Sequence, residues 1–139
     1  MFILQITGVP PSTNKLYTVI RGRKSLSRKG KKYKRKIAEL VAQEYPIPLG
    51  FTRDDAFHLS IRLVFDIFTK TEGAKNRFIK WDVSNRVKAL EDAVCESLGI
   101  DDSQILKIEI EKVCRAENET EQTIVALTKL PESTLQQNS

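Results

Sequence analysis

The sequence predicts a single-domain protein of the α/β (α+β) class, with helices packed on a mixed β-sheet and elements in the order β-α-β-α-β-β. Two kinds of hydrophobic spacing carry this prediction. Apolar and polar residues alternate over 57–67, which is the period of a strand with one buried face. Over 33–45 and 83–98 apolar residues recur every three or four positions, as on the buried side of a helix. A chain of 139 residues has room for one such core.

The first half of the chain is predicted to contain a buried strand and a helix. Residues 2–7 form a short apolar run that ends at Gly8 and the pair Pro10-Pro11, because proline cannot donate to a strand ladder. The residues that follow are predicted to form a loop. Ser27 is a suitable N-cap for a helix that ends before Pro46.

The second half is predicted to contain the long strand, a second helix and two further strands. The polar, basic stretch 69–80 is predicted to be a loop, and Gly99 ends the helix over 83–98. The last strands, 105–114 and 123–130, are separated by an acidic turn and are predicted to form a hairpin.

The inner face of the strand over 105–114 is predicted from its alternation. We expect Leu106, Ile108 and Ile110 to point inward, because they alternate with charged residues. This completes the predicted core.

Composition excludes several classes of protein. With 40% hydrophobic and 29% charged residues, 6 Gly and 5 Pro, the chain is neither fibrous nor of low complexity. No apolar run approaches the roughly 20 residues of a spanning helix, and the N-terminus lacks the charged start of a secretory signal, so we expect a soluble, cytoplasmic protein without a membrane partner. Cys95 and Cys114 lack CxxC spacing and are expected to be reduced thiols that fill space. We expect one domain over 1–130 and a disordered tail over 131–139.

Positive charge is concentrated in one short segment. Residues 21–36, here called the basic segment, hold ten of the 23 lysines and arginines and no acidic residue. The rest of the chain has 13 basic and 18 acidic residues. A charge run is often only a solvated helix face. The absence of interspersed glutamate and the turn signals before the predicted helix favour a nucleic-acid backbone as the partner, ahead of a solvated face or a membrane surface.

A polar face is predicted on the second helix. On a helical wheel Asn85, Lys88 and Asp92 lie together, opposite the apolar side. They are candidates for contact with a ligand. An ordinary surface pair between Lys88 and Asp92, four residues apart, explains the same spacing and remains open.

Aspartates flank this helix on both sides. Asp82 stands at the start of the helix. Asp101 and Asp102 form a turn after its end, and a chain that returns alongside the helix could bring them near Asp82. Converging carboxylates repel one another unless a hard divalent cation bridges them, so the cluster indicates magnesium. A helix cap at Asp82 and a solvated turn at Asp101-Asp102 are the alternatives that spacing leaves open.

Three motifs together resemble the RusA family of Holliday-junction resolvases, the crossover junction endodeoxyribonucleases. Residues 9–17 (VPPSTNKLY) are similar to the PPSxNxxY loop of the family, and residues 27–33 (SRKGKKY) to its SxxGxxY helix start. Residues 82–105 carry most of the signature DxDNxxK…D…DDxQ, the most specific of the three. Order and spacing fit from Ile3 to about Leu130.

The resemblance implies a RusA-like fold and a homodimeric, Mg²⁺-dependent endonuclease, with Mn²⁺ as a substitute and without a nucleotide cofactor. Such an enzyme acts in DNA recombination and repair, and it cuts four-way and other branched DNA by hydrolysing one phosphodiester on each of two opposed strands. The residues that the resemblance assigns are Asp82, Lys88 and Asp102 as catalytic; Asp82, Asp102, Asp101 and Ser84 as metal ligands; and Asn85 and Asp92 as supporting.

DNA contacts are expected from the first motif, the basic segment and the loop over 69–80. The candidates are Asn14, Lys15, Arg21, Arg23, Lys24, Lys31, Lys32, Lys34, Arg35, Lys75, Arg77 and Lys80.

Ser84 departs from the family pattern, which has a second acid at this position. A hydroxyl contributes no charge and is a poorer ligand for a hard cation than a carboxylate. The alternative function is therefore a branched-DNA-binding protein with weakened catalysis on the same scaffold. The protein is expected at the nucleoid, and a phage or prophage origin is left open.

Overall fold

The computed structural model describes residues 1–11, 13–69, 77–78 and 83–132. Within these ranges no helix is both long and apolar enough to cross a bilayer. The elements in chain order are β1 (Phe2–Thr7), α1 (Thr13–Leu16), β2 (Tyr17–Ile20), β3 (Arg23–Leu26), α2 (Arg28–Glu44), β4 (Phe57–Phe65), β5 (Phe68–Thr69), β6 (Arg77–Phe78), α3 (Val83–Leu98), a 3₁₀ turn (Asp102–Gln104), β7 (Ile105–Cys114) and β8 (Gln122–Lys129).

A mixed four-stranded sheet forms the centre of the structure, with the strand order β1-β8-β4-β7. β8 runs antiparallel to both of its neighbours, β1 and β4. β4 and β7 are parallel, as expected for two strands joined by a crossover helix, here α3. The predicted α+β class and mixed sheet are confirmed.

One face of this sheet carries the core. Alternate residues of β1, β4 and β8 point to the same side and are buried there, with Phe2, Leu59 and Leu127 at 1% exposure or less. Ile37 from α2 and Leu90 from α3 join them in one apolar cluster. Both long helices therefore pack on the same face of the sheet, and the predicted packing of helices on a mixed sheet is confirmed.

The predicted hairpin between the last two strands is wrong. β7 and β8 both pair with β4 and lie on opposite sides of it. The crossover through α3 brings the chain back beside the start of β4, so β7 must run parallel to β4 at the edge of the sheet. β8, whose alternate residues Thr123, Val125 and Leu127 are fully buried, then fills the position between β1 and β4.

The predicted burial of Leu106, Ile108 and Ile110 is also wrong. The register pairs Ile108 with Leu59 and Ile110 with Ile61, so the side chains of Ile108 and Ile110 do point to the core side of the sheet, whereas Leu106 lies at a register shift and has no partner on β4. Leu106, Ile108 and Ile110 are nevertheless 51%, 43% and 38% exposed. The helices pack over the inner strands and leave the edge strand β7 uncovered on this side.

The predicted loop before α2 contains ordered elements. α1 is followed by the antiparallel hairpin of β2 and β3. Arg21 and Gly22 form its turn with φ values of 51° and 75°, the left-handed pair that a tight two-residue hairpin requires. The hairpin strands lack a buried alternation, so hydrophobic spacing gave no signal for them. The loop predicted over 69–80 likewise includes the paired residues of β5 and β6, and residues 70–76 and 79–80 lie outside the described part.

The two cysteines occupy different environments. Cys95, on the inner side of α3, is buried as predicted, whereas Cys114 is exposed at the end of β7, so the expectation that both fill space is wrong for Cys114. Burial raises the pKa of the Cys95 thiol from 9.0 to about 12, and the negative charges of Glu91 and Asp102 add to this effect.

The buried Cys95 thiol predicts an alkaline loss of stability. Its pKa is higher in the folded than in the unfolded state, so the stabilisation is complete below pH 9.0 and is lost as the pH rises towards about 12. We expect the free energy of unfolding, measured with urea, to fall by up to about 1.4 kcal/mol per pH unit in this window. Cys95→Ala should flatten the fall, and parallel pH profiles for the two proteins would contradict the assignment.

Candidate functional site

The proline-rich loop before α1 is held against α3. The Arg86 guanidinium on α3 donates a hydrogen bond to the Pro10 carbonyl oxygen at 3.1 Å. At the other end of the same motif the Tyr17 hydroxyl donates to Asp92 Oδ2 at 3.4 Å. The first and third sequence motifs, which are more than 60 residues apart, therefore meet on one side of α3.

Tyr17 lies in a partly buried, charged environment. Burial and the neighbouring Asp92 carboxylate raise its pKa, while the positive charges of Lys34 and Lys88 oppose the shift. The hydroxyl consequently stays protonated and can donate to Asp92. Lys24 Nζ lies 4.7 Å from the centre of the Tyr17 ring, which places one cation of the hairpin over an aromatic face.

The second motif fixes the start of α2 against α1. Ser27 is the N-cap: its Oγ accepts a hydrogen bond from the Gly30 N–H at 3.0 Å and donates to the Lys15 carbonyl oxygen at 2.8 Å. Its own N–H donates to the Leu16 carbonyl oxygen at 2.8 Å. A Cβ at Gly30 would lie 2.2 Å from this same oxygen, so only glycine permits the approach. The serine and glycine of the motif thus have a structural role.

Gly30→Ala tests this packing. Because the added methyl group would collide with backbone rather than with a movable side chain, we expect a loss of about 2 kcal/mol in the free energy of unfolding, despite the higher helix propensity of alanine. Urea denaturation measures this loss. Lys29→Ala, at the neighbouring exposed position of α2, is the control and should change stability by less than about 0.5 kcal/mol. Equal stability of the two variants would show that α1 can move away without cost.

Lys34 differs from the other cations of α2. Its Nζ lies 2.6 Å from Glu96 Oε2 on α3, and this hydrogen bond raises the pKa of the lysine. The pair joins the two long helices. Lys34 is therefore half-buried and engaged, whereas Lys31, Lys32 and Arg35 are exposed.

The turn after α3 is organised by its own side chains. Asp101 caps it by accepting from the Ser103 N–H at 2.9 Å, and Gln104 Oε1 accepts from the Asp101 N–H at 2.9 Å. The Gln104 amide also donates to the carbonyl oxygens of Thr52 and Asp55, both at 2.9 Å. The Ser103 N–H lowers the pKa of the Asp101 carboxyl. Asp101 and Gln104 therefore hold the turn in place, a role of Gln104 that spacing did not reveal.

This turn brings Asp102 to α3. Burial raises the pKa of the Glu91 carboxyl, and the nearby charges of Asp92 and Asp102 raise it further, while Lys88 opposes them. Glu91 was not a candidate from the sequence, although it stands one helical turn after Lys88. Asp92 and Asp102 are thus near enough to Glu91 to raise its pKa, and these three residues, beside the exposed Lys88, are here called the acidic cluster.

The part of the chain with described coordinates contains no set of three His, Cys, Asp or Glu side chains arranged to hold a metal ion. Asp82 lies outside that part, and Ser84 and Asn85 are described only as backbone in the first turn of α3. The residues near the turn offer carboxylate oxygens, which are the donors that Mg²⁺ prefers. The chemistry of these donors fits a hard divalent cation, although Asp82 and Asp102 stand at opposite ends of α3, whose 16 residues span about 24 Å within one chain.

The family model described as Endodeoxyribonuclease RusA matches residues 8–125, which include all three motifs. The chain belongs to the RusA endodeoxyribonuclease family. The resemblance predicted from the sequence is confirmed. A search of curated proteins gave no match.

Membership of the RusA family assigns the chain to a family of DNA-cutting enzymes, so its basic side chains are candidates for contact with DNA. Seven of them are exposed and lie on α1, on the hairpin of β2 and β3, and on α2. These residues, here called the basic surface, are Lys15, Arg21, Arg23, Lys24, Lys31, Lys32 and Arg35.

The remaining DNA candidates cannot be placed as side chains. Asn14 and Arg77 are described as backbone only, in α1 and β6. Lys75 and Lys80 lie outside the described residues.

Proposed function

We propose that this RusA family member is a homodimeric, Mg²⁺-dependent endonuclease that resolves Holliday junctions and other branched DNA, with Mn²⁺ as a substitute metal. The proposed setting is recombination and repair in the cytoplasm, at the nucleoid. One observation carries the proposal. The acidic cluster, Lys88 and the basic surface are joined into one region by the Tyr17–Asp92 hydrogen bond and the Lys34–Glu96 ion pair.

Asp82 and Asp102 are the proposed principal metal ligands. Because the 16 residues of α3, about 24 Å, separate them within one chain, an ion held by both would lie between the two copies of the proposed homodimer. Asp102 is exposed at the start of the 3₁₀ turn, where its carboxylate is accessible to an ion. Asp101 and Ser84 are lesser ligands, because the Asp101 side chain already caps the turn and a serine hydroxyl carries no charge. When bound, Mg²⁺ supplies charge neutralisation at the phosphodiester and a water of lowered pKa.

Lys88 is the proposed cation for the developing negative charge. It is exposed on α3, four residues before Asp92, so its ammonium can reach a phosphate oxygen or the leaving oxygen beside the acidic cluster. A positive charge that is already in position beside the reacting phosphate contributes a few kcal/mol of transition-state stabilisation, on the order of a hundredfold to a thousandfold in rate. Asn85 would orient the carboxylates or contact the phosphate.

A twofold dimer suits a four-way junction. Two equivalent active sites related by the symmetry of the protein can meet two equivalent strands of the junction. The basic surface would hold the arms through their phosphates, without reading sequence.

Cleavage of a synthetic four-way junction tests the proposal. The purified protein is incubated with labelled junction in Mg²⁺, in Mn²⁺ and in EDTA, beside a linear duplex of the same sequence. We expect paired nicks in opposed strands of the junction with either metal, none in EDTA, and little cutting of the duplex. Equal cutting of duplex, flap or RNA substrates would contradict junction resolution, and cutting in EDTA would contradict metal dependence.

Ser84 favours a second candidate function, which is binding of branched DNA with weakened cleavage. Binding without nicks in the same assay would support it. Ser84→Asp then provides the sharper test, because a carboxylate near the N-terminus of α3 adds a charged ligand where the helix dipole favours negative charge. We expect Ser84→Asp to raise the cleavage rate about tenfold or more at limiting Mg²⁺. Ser84→Ala is its control, and no gain for Ser84→Asp would show that the missing acid does not limit catalysis.

A further inference from the structure

The two edge strands of the central sheet, β1 and β7, differ in what contacts their outer edges. At the β1 edge, the Ile3 N–H donates to the Tyr45 hydroxyl at 2.9 Å, and this hydroxyl donates to the Ile3 carbonyl oxygen at 3.1 Å. The Tyr45 ring also packs on Phe2, with ring centroids 4.8 Å apart. A side chain therefore occupies the hydrogen-bonding groups of Ile3 on this edge strand, which hinders edge-to-edge pairing at that position.

The β7 edge carries a row of exposed apolar side chains. β7 is 10 residues long and, among the described strands, pairs only with β4. Ile108 and Ile110 lie along its helix side and are 43% and 38% exposed, and Leu106, at the register shift near the start of the strand, is 51% exposed. A long edge strand with such a row is suited to pairing with another strand.

The opposite face of β7 carries charges in an ordered pattern. Lys107 Nζ lies 3.0 Å from Glu109 Oε1, and His58 Nε2 on β4 lies 3.4 Å from the same oxygen. Lys107 also lowers the pKa of the Glu109 carboxyl. A positive charge at Lys107 thus stands two residues before a negative charge at Glu109, which allows this part of the strand to complement a copy of itself.

We propose that β7 pairs antiparallel with β7 of a second copy of this chain, with Ile108 on the twofold axis. In this register Leu106 lies opposite the partner's Ile110, and Ile108 opposite the partner's Ile108, so the exposed apolar row is covered by its own copy. On the other face Lys107 lies opposite the partner's Glu109, and the symmetry generates this pair twice.

Charge repulsion disfavours the registers centred on Lys107, Glu109 and Ile110, and a register centred on Leu106 pairs only residues 105–107 within β7. An axis at Lys107 or at Glu109 places that residue opposite its own copy, and like charges directly opposite are destabilising. An axis at Ile110 places Glu109 opposite the partner's Glu111 twice. The register centred on Ile108 brings no two like charges opposite each other within β7.

This arrangement has a consequence for the proposed enzyme. An axis perpendicular to the sheet joins two four-stranded sheets into one, with the helices of both copies on the same face. Both acidic clusters and both basic surfaces then lie on that side of the dimer, where one branched DNA molecule can contact them. The inference rests on the homodimer of the proposed function and is independent of cleavage.

Disulfide cross-linking tests the register. In a Cys114→Ser background, Ile108→Cys places two thiols opposite each other across the axis, within the Cα separation that a disulfide spans. We expect rapid formation of a covalent dimer under mild oxidation, and little for Ile110→Cys, whose thiols would be about 14 Å apart along the strands. Preferential cross-linking at position 110, or at neither position, would overturn the β7 register.

Charge reversal with rescue tests the same interface without a thiol. Lys107→Glu and Glu109→Lys should each raise the dimer dissociation constant at least about tenfold in sedimentation equilibrium, because each creates two like-charge pairs. The double variant restores both pairs and should dimerise as the wild type does. Glu44→Lys, exposed at the far end of α2, is the control. A wild type that is monomeric at all concentrations overturns both the homodimer and this interface. A dimer insensitive to all these changes overturns the interface alone.

Discussion

Asp82→Asn and Asp102→Asn are each expected to lower junction cleavage at least about a thousandfold while leaving junction binding within about threefold. An amide is a neutral and weaker ligand for a hard cation than a carboxylate, so the metal and its activated water are lost together. Binding is retained because the basic surface lies on other elements and contacts the phosphates. Single-turnover cleavage rates and gel-shift titrations of the same junction measure the two quantities separately.

Asp54→Asn is the matched control, since Asp54 is an exposed aspartate in the loop before β4. It should cut at the wild-type rate. Asp101→Asn is expected to have a smaller effect on cleavage than Asp102→Asn, because Asp101 caps the turn and does not serve as a principal ligand. Full cutting by both Asp82→Asn and Asp102→Asn would refute the assignment of the site.

Replacing Lys31, Lys32 and Arg35 with glutamine is expected to raise the dissociation constant for the junction about a hundredfold at low salt. Each phosphate contact releases condensed counterions, so losing three cations should make the negative slope of log K against log salt shallower by about 2.7. Fluorescence anisotropy over a series of salt concentrations measures both values. The structure places these three side chains on the exposed side of α2.

Lys34→Gln separates this effect from a change in total charge. Lys34 is paired with Glu96, so its loss should weaken the contact between α2 and α3 and change the salt slope less than the loss of an exposed lysine does. Unchanged binding by the triple variant would remove α2 from the DNA interface. A salt slope that changes equally for Lys34→Gln and Lys32→Gln would show that the ion pair opens on binding.

Long elements with strong periodicity were predictable from the sequence. The alternation over β4 gave a strand whose inner residues, from Phe57 to Phe65, are buried, and Ser27 was the N-cap of α2 as predicted. The family motifs identified the polar residues of α3 and the turn after it. Each of these signals is local, since it depends on residues within one element.

Signals that depend on distant residues were missed or misjudged. The pairing of β7 with β4 rather than with β8 follows from the crossover through α3, which no local pattern records. The exposure of Ile108 followed from how far the helices extend over the sheet, although its alternation correctly predicted the side to which it points. The need for Gly30 arose from one carbonyl oxygen on α1.

The sequence by itself determined the family, the class of fold and the set of acidic and basic residues from which a DNA-cutting site can be built, because composition, periodicity and motif spacing are local properties of the chain. Only the tertiary structure decided which of those residues meet. In the folded chain Tyr17 donates a hydrogen bond to Asp92, and Lys34 forms an ion pair with Glu96. Asp101 caps the turn, and Glu91 belongs to the acidic cluster. These assignments depend on distances between separate elements, and such distances are fixed only when the helices pack on the sheet.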